Sequence, residues 1–199
     1  MDPVTLHTER LVLRPFTPHD AEAVRAACQD PEISRWTPVP SPYTAEDARA
    51  WVGTVVPGGW AGDTEYNFAV CLRDGGTLVG AMGLLRLASL RGPRRQAEFG
   101  YWTVREHRRR GHTAEAGREI CRWAFEDLGV ERLEWVADAG NHASRAVARR
   151  IGFVMEGTMR SHIVHRGTRR DAWLGSLLPS DLGLPQRTAY LPYEEKSAV

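Results

Sequence analysis

The stretch of this chain best suited to chemistry is Arg108-Arg109-Arg110-Gly111-His112-Thr113, set between an alternating segment, 98–104, and a helical one, 114–128. It reads as a strand, a tight basic loop and the start of a helix. At such a junction the first N–H groups of the helix lack intrahelical partners and add to the positive end of the helix dipole, which suits a phosphate. Gly111 lets the backbone approach closely, and the arginines before it add charge-assisted hydrogen bonds to the same anion. The expectation is a pyrophosphate held here. The competing reading of the same residues is a solvated loop.

The elements that must position this loop follow from patterning. Residues 10–16 alternate as a first strand, and Thr17-Pro18-His19-Asp20 opens a helix to about Cys28 with a cap, a proline and an early acid. Residues 30–43 are proline-rich and read as an irregular connection. Thr44 and Asp47 open a second helix through about Val55, which Pro57-Gly58-Gly59 ends. Residues 66–72 and 77–87 read as a hairpin, in which Gly80 and Gly83 mark a close approach of backbone or ligand, or a bulge. The helix after the basic loop buries Ala116, Ile120, Ala124 and Leu128, and Leu133, Trp135 and Ala137 alternate in the strand that follows. A short helix spans 142–150, then a strand 153–157 and a last hairpin pairing 160–165 with 170–177. From Pro179 the chain reads as a polar tail, in which 190–193 could dock. This order indicates an α+β, or mixed α/β, fold on one sheet, with a single domain over 1–178 and a tail over 179–199.

A chain of 199 residues fits one domain. Lys+Arg 26 against Asp+Glu 25 leaves a net charge of +1, which argues against bulk attraction to nucleic acid or to a membrane. Lys196 is the only lysine, so arginine clusters partly reflect residue usage. Cys28, Cys71 and Cys121 are widely spaced in apolar segments and read as reduced, buried thiols; no Cys/His spacing suggests a metal, and none is expected. No stretch of about 18 apolar residues occurs and the first residues lack a signal-peptide core, so the expected location is cytoplasmic.

Several motifs together carry a resemblance. Arg108, Gly111 and Thr113 occupy the places of a Gln/Arg-x-x-Gly-x-Gly/Ala loop, with Thr113 departing from it. Glu98-Phe99-Gly100-Tyr101-Trp102 follows a Glu-aromatic-Gly-Tyr-Trp strand, and Asn141, Ser144, Gly152 and Phe153 follow an Asn-x-x-Ser…Gly-Phe segment. With Asp30-Pro31-Glu32 and Tyr43-Thr44-x-Glu46-Asp47, over roughly 6–178, the chain resembles the GNAT acyltransferase superfamily, in its RimJ/RimL-type branch that acetylates N-terminal amines of ribosomal proteins.

The resemblance implies a central, mostly antiparallel, splayed sheet flanked by helices. It implies acetyl-CoA, or another short acyl-CoA, as co-substrate, and no metal. The pantetheine arm would lie against backbone groups of Trp102, Thr103 and Val104. Arg109, Arg110, Gly111, His112, Thr113 and Ala114 would wrap the pyrophosphate, and Asn141 and Arg145 would face the pantetheine and nucleotide. An attacking amine must be neutral and the leaving thiolate must be stabilised or protonated. Glu98 is the candidate base, through water. Ser144 is the candidate acid, because the tyrosine that many relatives carry seven residues after the Asn is Ala148 here. Each also has a structural reading: a carboxylate bonded to neighbouring backbone, and a hydroxyl that satisfies a helix N-terminus.

At about pH 7.5 a lysine costs roughly 4 kcal/mol to deprotonate and an α-amine well under about 1, so a single weak base favours an α-amine or a small amine of low pKa. Trp36, Tyr43, His162 and His165 are the acceptor-side candidates. The expected function is therefore an acyl-CoA-dependent N-acyltransferase acting on a peptide N-terminus or small amine. The alternatives are a non-catalytic acyl-CoA sensor and a ribosome- or RNA-associated module using arginines of 91–95, 105–110 and 166–170, the last disfavoured by the near-neutral charge. The final hairpin could support a homodimer.

Overall fold

The computed structural model describes residues 1–90 and 92–193; Arg91 of the arginine-bearing stretch 91–95 and residues 194–199 of the expected tail lie outside the described residues. Alternating apolar positions build eight strands: β1 (Leu6–His7), β2 (Leu11–Pro15), β3 (Tyr66–Leu72), β4 (Leu78–Leu85), β5 (Gln96–Thr103), β6 (Arg132–Asp138), β7 (Val154–His165) and β8 (Thr168–Leu177). They form one sheet in the order β1-β2-β3-β4-β5-β6-β8-β7. Every neighbouring pair is antiparallel except β5 and β6.

That parallel pair is short. It joins Gln96 to Arg132, Ala97 to Leu133 and Glu98 to Glu134, and then stops. Beyond it β5 stays on β4 as far as Thr103 opposite Gly80, while β6 stays on β8 as far as Asp138 opposite Ala172. The sheet therefore splits into a V that opens toward the C-terminal ends of β5 and β6. Both expected glycines of β4 hold strands tightly: a Cβ on Gly80 would overlap the Trp102 carbonyl oxygen, and one on Gly83 would lie 2.7 Å from the Tyr66 carbonyl oxygen. A register shift at Val70/Cys71 adds a bulge beside Gly80.

Six α-helices flank the sheet: α1 (Ala21–Ala27), α2 (Pro31–Trp36), α3 (Ala45–Ala50), α4 (Val56–Gly62), α5 (His112–Glu126) and α6 (His142–Ile151). On α5 the expected stripe is at work, with Ala116, Ile120 and Ala124 fully buried and Leu128 packed against the core. All three cysteines are free and buried.

The structure corrects several expectations. Residues 31–36 are helical rather than irregular, because Asp30 caps the Glu32 N–H at 3.0 Å and Pro31 takes the first helical position. Pro57-Gly58-Gly59 does not end a helix. A π-helical turn over Trp51–Val55 widens the backbone before Pro57, which sits at the start of α4, and burial of Val56 and Trp60 holds α4 in place. Residues 154–165 are one long strand with register shifts at Met155/Gly157 and Met159/Ile163, not two. Pro179–Leu182 forms a 3-10 turn whose Leu182, with Leu184, packs on the core. Residues 190–193 do not dock: Tyr190, Leu191 and Tyr193 are 61%, 92% and 89% exposed.

Because β4 and β5 approach so closely at Gly80, Gly80→Ala is expected to lower the unfolding free energy by about 1–3 kcal/mol. Urea denaturation of the purified variant measures this.

Candidate active site

The basic loop leaves β5 and turns into α5 through two left-handed residues, Arg109 at φ 61° and Gly111 at φ 82°. The first intrahelical bond runs from the Glu115 N–H to the Gly111 carbonyl at 3.0 Å, and no side chain caps the helix. The N–H groups of His112, Thr113 and Ala114 thus precede the intrahelical ladder, the arrangement an anion site uses. Arg109 and Arg110 are exposed beside them. His112 turns its ring inward, where burial and then the Arg10 charge hold its pKa below the ordinary value, so the ring stays neutral.

Arg108 is engaged elsewhere. Its Nη2 lies 2.7 Å from Asp30 and its Nε–H donates to the Thr103 carbonyl at 3.1 Å, so it ties the loop to the N-terminus of α2. Thr113, the residue departing from the family pattern, hydrogen-bonds Thr103 through its hydroxyl at 2.8 Å and fastens α5 to the end of β5. Behind the first turn, Glu115 accepts from Thr8 at 2.6 Å and from the Arg10 side chain at 2.7 Å. Arg10 also donates to the Arg110 carbonyl at 3.2 Å. These N-terminal residues were missed in the sequence, although an acid in the first turn of α5 is the signal for such a clasp.

The V itself exposes backbone. The Val104 N–H donates to Val79 at 2.8 Å, and the ladder alternates, so Trp102 and Val104 turn their backbone groups to β4 while Tyr101 and Thr103 turn theirs into the split. This corrects the expected trio of Trp102, Thr103 and Val104.

Side chains alternate too. Phe99 and Tyr101 of β5 share one face with Leu133 and Trp135 of β6, against α5 and α6. There the Tyr101 hydroxyl donates to the Ser144 carbonyl at 2.8 Å and bonds the Ser144 hydroxyl at 2.9 Å, while the Trp135 indole N–H donates to Ser144 Oγ at 3.1 Å. Ser144 therefore bridges the two arms of the V. Asn141 caps its N–H at 3.1 Å, and Arg145 lies 4.7 Å from the Trp173 ring centre. Ala148 is fully buried in α6, so no hydroxyl comes from that position. Burial pushes the Tyr101 phenol well above its ordinary pKa, keeping it protonated and able to donate.

Glu98 points to the opposite face, at the last paired position before the split. Its side chain is 18% exposed, and its carboxylate lies 3.1 Å from the Arg86 Nε. Burial pushes its pKa up, with Glu134 adding to the rise and the Arg86 and His162 charges opposing it. Arg86 carries no sequence signal and was missed. Of the acceptor-side candidates, exposed His162 lies close enough to Glu98 for its charge to be felt. His165 is buried beside a groove of about 400 Å³ formed with Pro38, Val39, Pro40 and Ser41. Trp36 donates to Glu32 at 3.0 Å beneath Arg35. Tyr43 does not line the groove: it is a core residue whose phenol burial pushes up to about 12. Among the described residues no group of His, Cys, Asp and Glu could hold a metal, and no helix is long and apolar enough to cross a membrane.

Because folding raises the pKa of Glu98, the folded chain binds this proton more tightly than the unfolded one. Its contribution is fully present below the unfolded value, near 4.5, and is lost as pH rises through the folded value. Glu98→Gln is expected to gain stability relative to the unmodified chain as pH climbs from 4.5, levelling off above the folded pKa; urea unfolding across pH measures the difference.

Comparison with known proteins agrees with this geometry. Residues 10–154 match the acetyltransferase (GNAT) domain model. The uncharacterized N-acetyltransferase YoaA of Bacillus subtilis is 30% identical over 173 residues, covering 87% of this chain and 96% of the relative. The structure of a putative ribosomal-protein-serine acetyltransferase from Vibrio cholerae superposes with a TM-score of 0.79 at 27% identity, over 90% of this chain and 100% of that one. Mycobacterium smegmatis RimJ in complex with CoA-disulfide shares the fold with a TM-score of 0.81 at 20% identity, over 92% of each chain.

Proposed function

The chain belongs to the GNAT acetyltransferase family, and we propose that it moves the acetyl group of acetyl-CoA to a primary amine held on the Glu98 face of the sheet, by direct attack in a ternary complex. The observation that carries this reading is the split between β5 and β6, with an uncapped helix N-terminus at its mouth, Glu98 on one face and Ser144 on the other. The free N–H groups of His112, Thr113 and Ala114, with Arg109 and Arg110, suit a pyrophosphate. Tyr101 and the Thr103 N–H offer backbone groups to an amide-bearing arm, the Thr103 carbonyl being held by Arg108. When bound, acetyl-CoA supplies the thioester carbonyl.

The residues then divide the proton work. Glu98, raised by burial, takes the amine proton through a water. Ser144 accepts from the Trp135 indole, which leaves its own proton able to turn from Tyr101 to a thiolate. Tyr101 and Trp135 hold that hydroxyl rather than reacting. Asn141 and Arg145 sit at the start of the same helix, on the side assigned to the pantetheine. Trp36, His162 and His165 frame the acceptor. A weak carboxylate base fits an amine of low pKa, such as a peptide N-terminal α-amine. The name of the Vibrio cholerae neighbour, a ribosomal-protein-serine acetyltransferase, supports a protein N-terminus as the first acceptor to test.

Calorimetric titration with acetyl-CoA, followed by thiol release with N-terminal peptides and small amines, tests this. Glu98→Gln is expected to lower kcat by about 10²-fold or more with acetyl-CoA binding retained. Ser144→Ala is expected to slow turnover by about tenfold or more, again with binding retained. Gly111→Val, which forces a β-branched residue into the left-handed region, is expected to weaken acetyl-CoA binding instead. Binding without turnover of any amine would favour the sensor reading; absence of binding would reject both.

A further inference from the structure

Arg86 is the residue of the site that the transfer chemistry leaves unexplained. It follows β4 in a left-handed conformation, φ 57°, between buried Leu84 and Leu87, and the Leu87 N–H is fixed to the Thr64 carbonyl at 3.2 Å. A non-glycine residue held there is strained, and the anchored neighbours aim its side chain across Glu98. One guanidinium edge contacts the Glu98 carboxylate at 3.1 Å, yet the side chain is 72% exposed. Most of its five donors therefore face the solvent on the acceptor side.

The opposite wall is also cationic. The hairpin of β7 and β8 brings His162 close enough to Glu98 for its charge to oppose the rise in the Glu98 pKa. Arg170 is set against Asp138 at 3.5 Å, and Arg132 is shared by Glu156 at 2.7 Å and by Glu134, the in-register neighbour of Glu98, at 3.2 Å, so the charges nearest to Glu98 apart from Arg86 and His162 are engaged with one another. Residues 37–43, the facing wall, carry no charge at all. Arg166 reaches across to the Val39 carbonyl at 3.5 Å.

Building on the transferase reading above, we propose that the acceptor is a primary amine with a carboxylate close to it, an acidic peptide N-terminus, and that Arg86 recognises this carboxylate. The arrangement couples recognition to activation. A carboxylate on the open edge of Arg86 shares the positive charge that otherwise stabilises ionised Glu98, which leaves Glu98 the stronger base. A neutral acceptor leaves Arg86 wholly on Glu98. Arg166 and His162 extend the same field along the groove.

The test is acetyl transfer to serine-initiated peptide amides that continue with aspartates, alanines or lysines, together with a serine-alanine dipeptide carrying its free carboxylate. The aspartate peptide is expected to exceed the alanine peptide in kcat/KM by about tenfold, with the ratio shrinking as salt is added. Preference for the free dipeptide over its amide would assign the carboxylate to a chain terminus instead of a side chain. Arg86→Gln is expected to bring the aspartate-to-alanine ratio close to one, mainly through KM. It should also move the acid limb of kcat/KM to higher pH, because a charge that stabilises the Glu98 carboxylate is gone. Arg166→Gln, remote from Glu98, should reduce the ratio without moving that limb. Transfer at equal rates to all peptides, or a preference for lysine, overturns the proposal and leaves the transferase reading intact. Acetyl-CoA binding with no transfer to any amine removes that reading and this inference with it.

Discussion

Everything at this site depends on two parallel strands that pair for three residues and then part. Separating strands leaves backbone donors and acceptors without partners, and such groups are costly when buried. The structure holds the separation open by giving each strand a stronger partner on its other side. Gly80 and Gly83 let β4 close tightly on both neighbours, and six residue pairs keep β6 on β8. Ser144 fixes the width, since Tyr101 and Trp135 reach its hydroxyl from the two arms. The split thus leaves β5 unpaired with β6 beyond Glu98.

The split also sorts charge. Alternation along β5 sends Glu98 to one face and Tyr101 to the other, so the group suited to take a proton and the group suited to give one never share a face. Burial raises the Glu98 pKa on one face, against the opposing charges of Arg86 and His162. The two sides are wired to different parts of the chain. The N-terminal strands hold α5 through Arg10 and Glu115, whereas α2 is held by the Arg108–Asp30 pair. The basic loop and the N-terminus of α2 accordingly meet at Arg108.

Much of this architecture was legible in the sequence where a single local rule applies. The α5 stripe, the glycines of β4, the strand–loop–helix junction and the placing of Glu98 on β5 and Ser144 on α6 all follow from periodicity, glycine stereochemistry or a spaced motif. What escaped depends on tertiary neighbours. The helix at 31–36 was signalled by Asp30-Pro31-Glu32 but masked by the prolines after it. Pro57 is tolerated only because the turn before it is wide and Trp60 is buried. Tyr43 looks like any aromatic in a proline-rich segment until the core closes over it. The Arg86–Glu98 pair joins the end of one strand to the start of the next across the sheet, and no spacing announces it. Thr113, a departure when read against the motif, has its reason in a hydroxyl ten residues earlier.

The long outer strand β7 has a consequence for how copies of this chain could meet. A sheet edge of twelve residues would ordinarily be a template on which another molecule adds a strand. Here two irregularities interrupt it, Ser161 is turned to φ 54°, and Arg160 and His162 flank the turn. An incoming strand could follow that border for only a few residues before losing register. Any self-association through this hairpin must therefore be built from side-chain contacts, which makes it sensitive to single substitutions and incapable of propagating into a continuous intermolecular sheet.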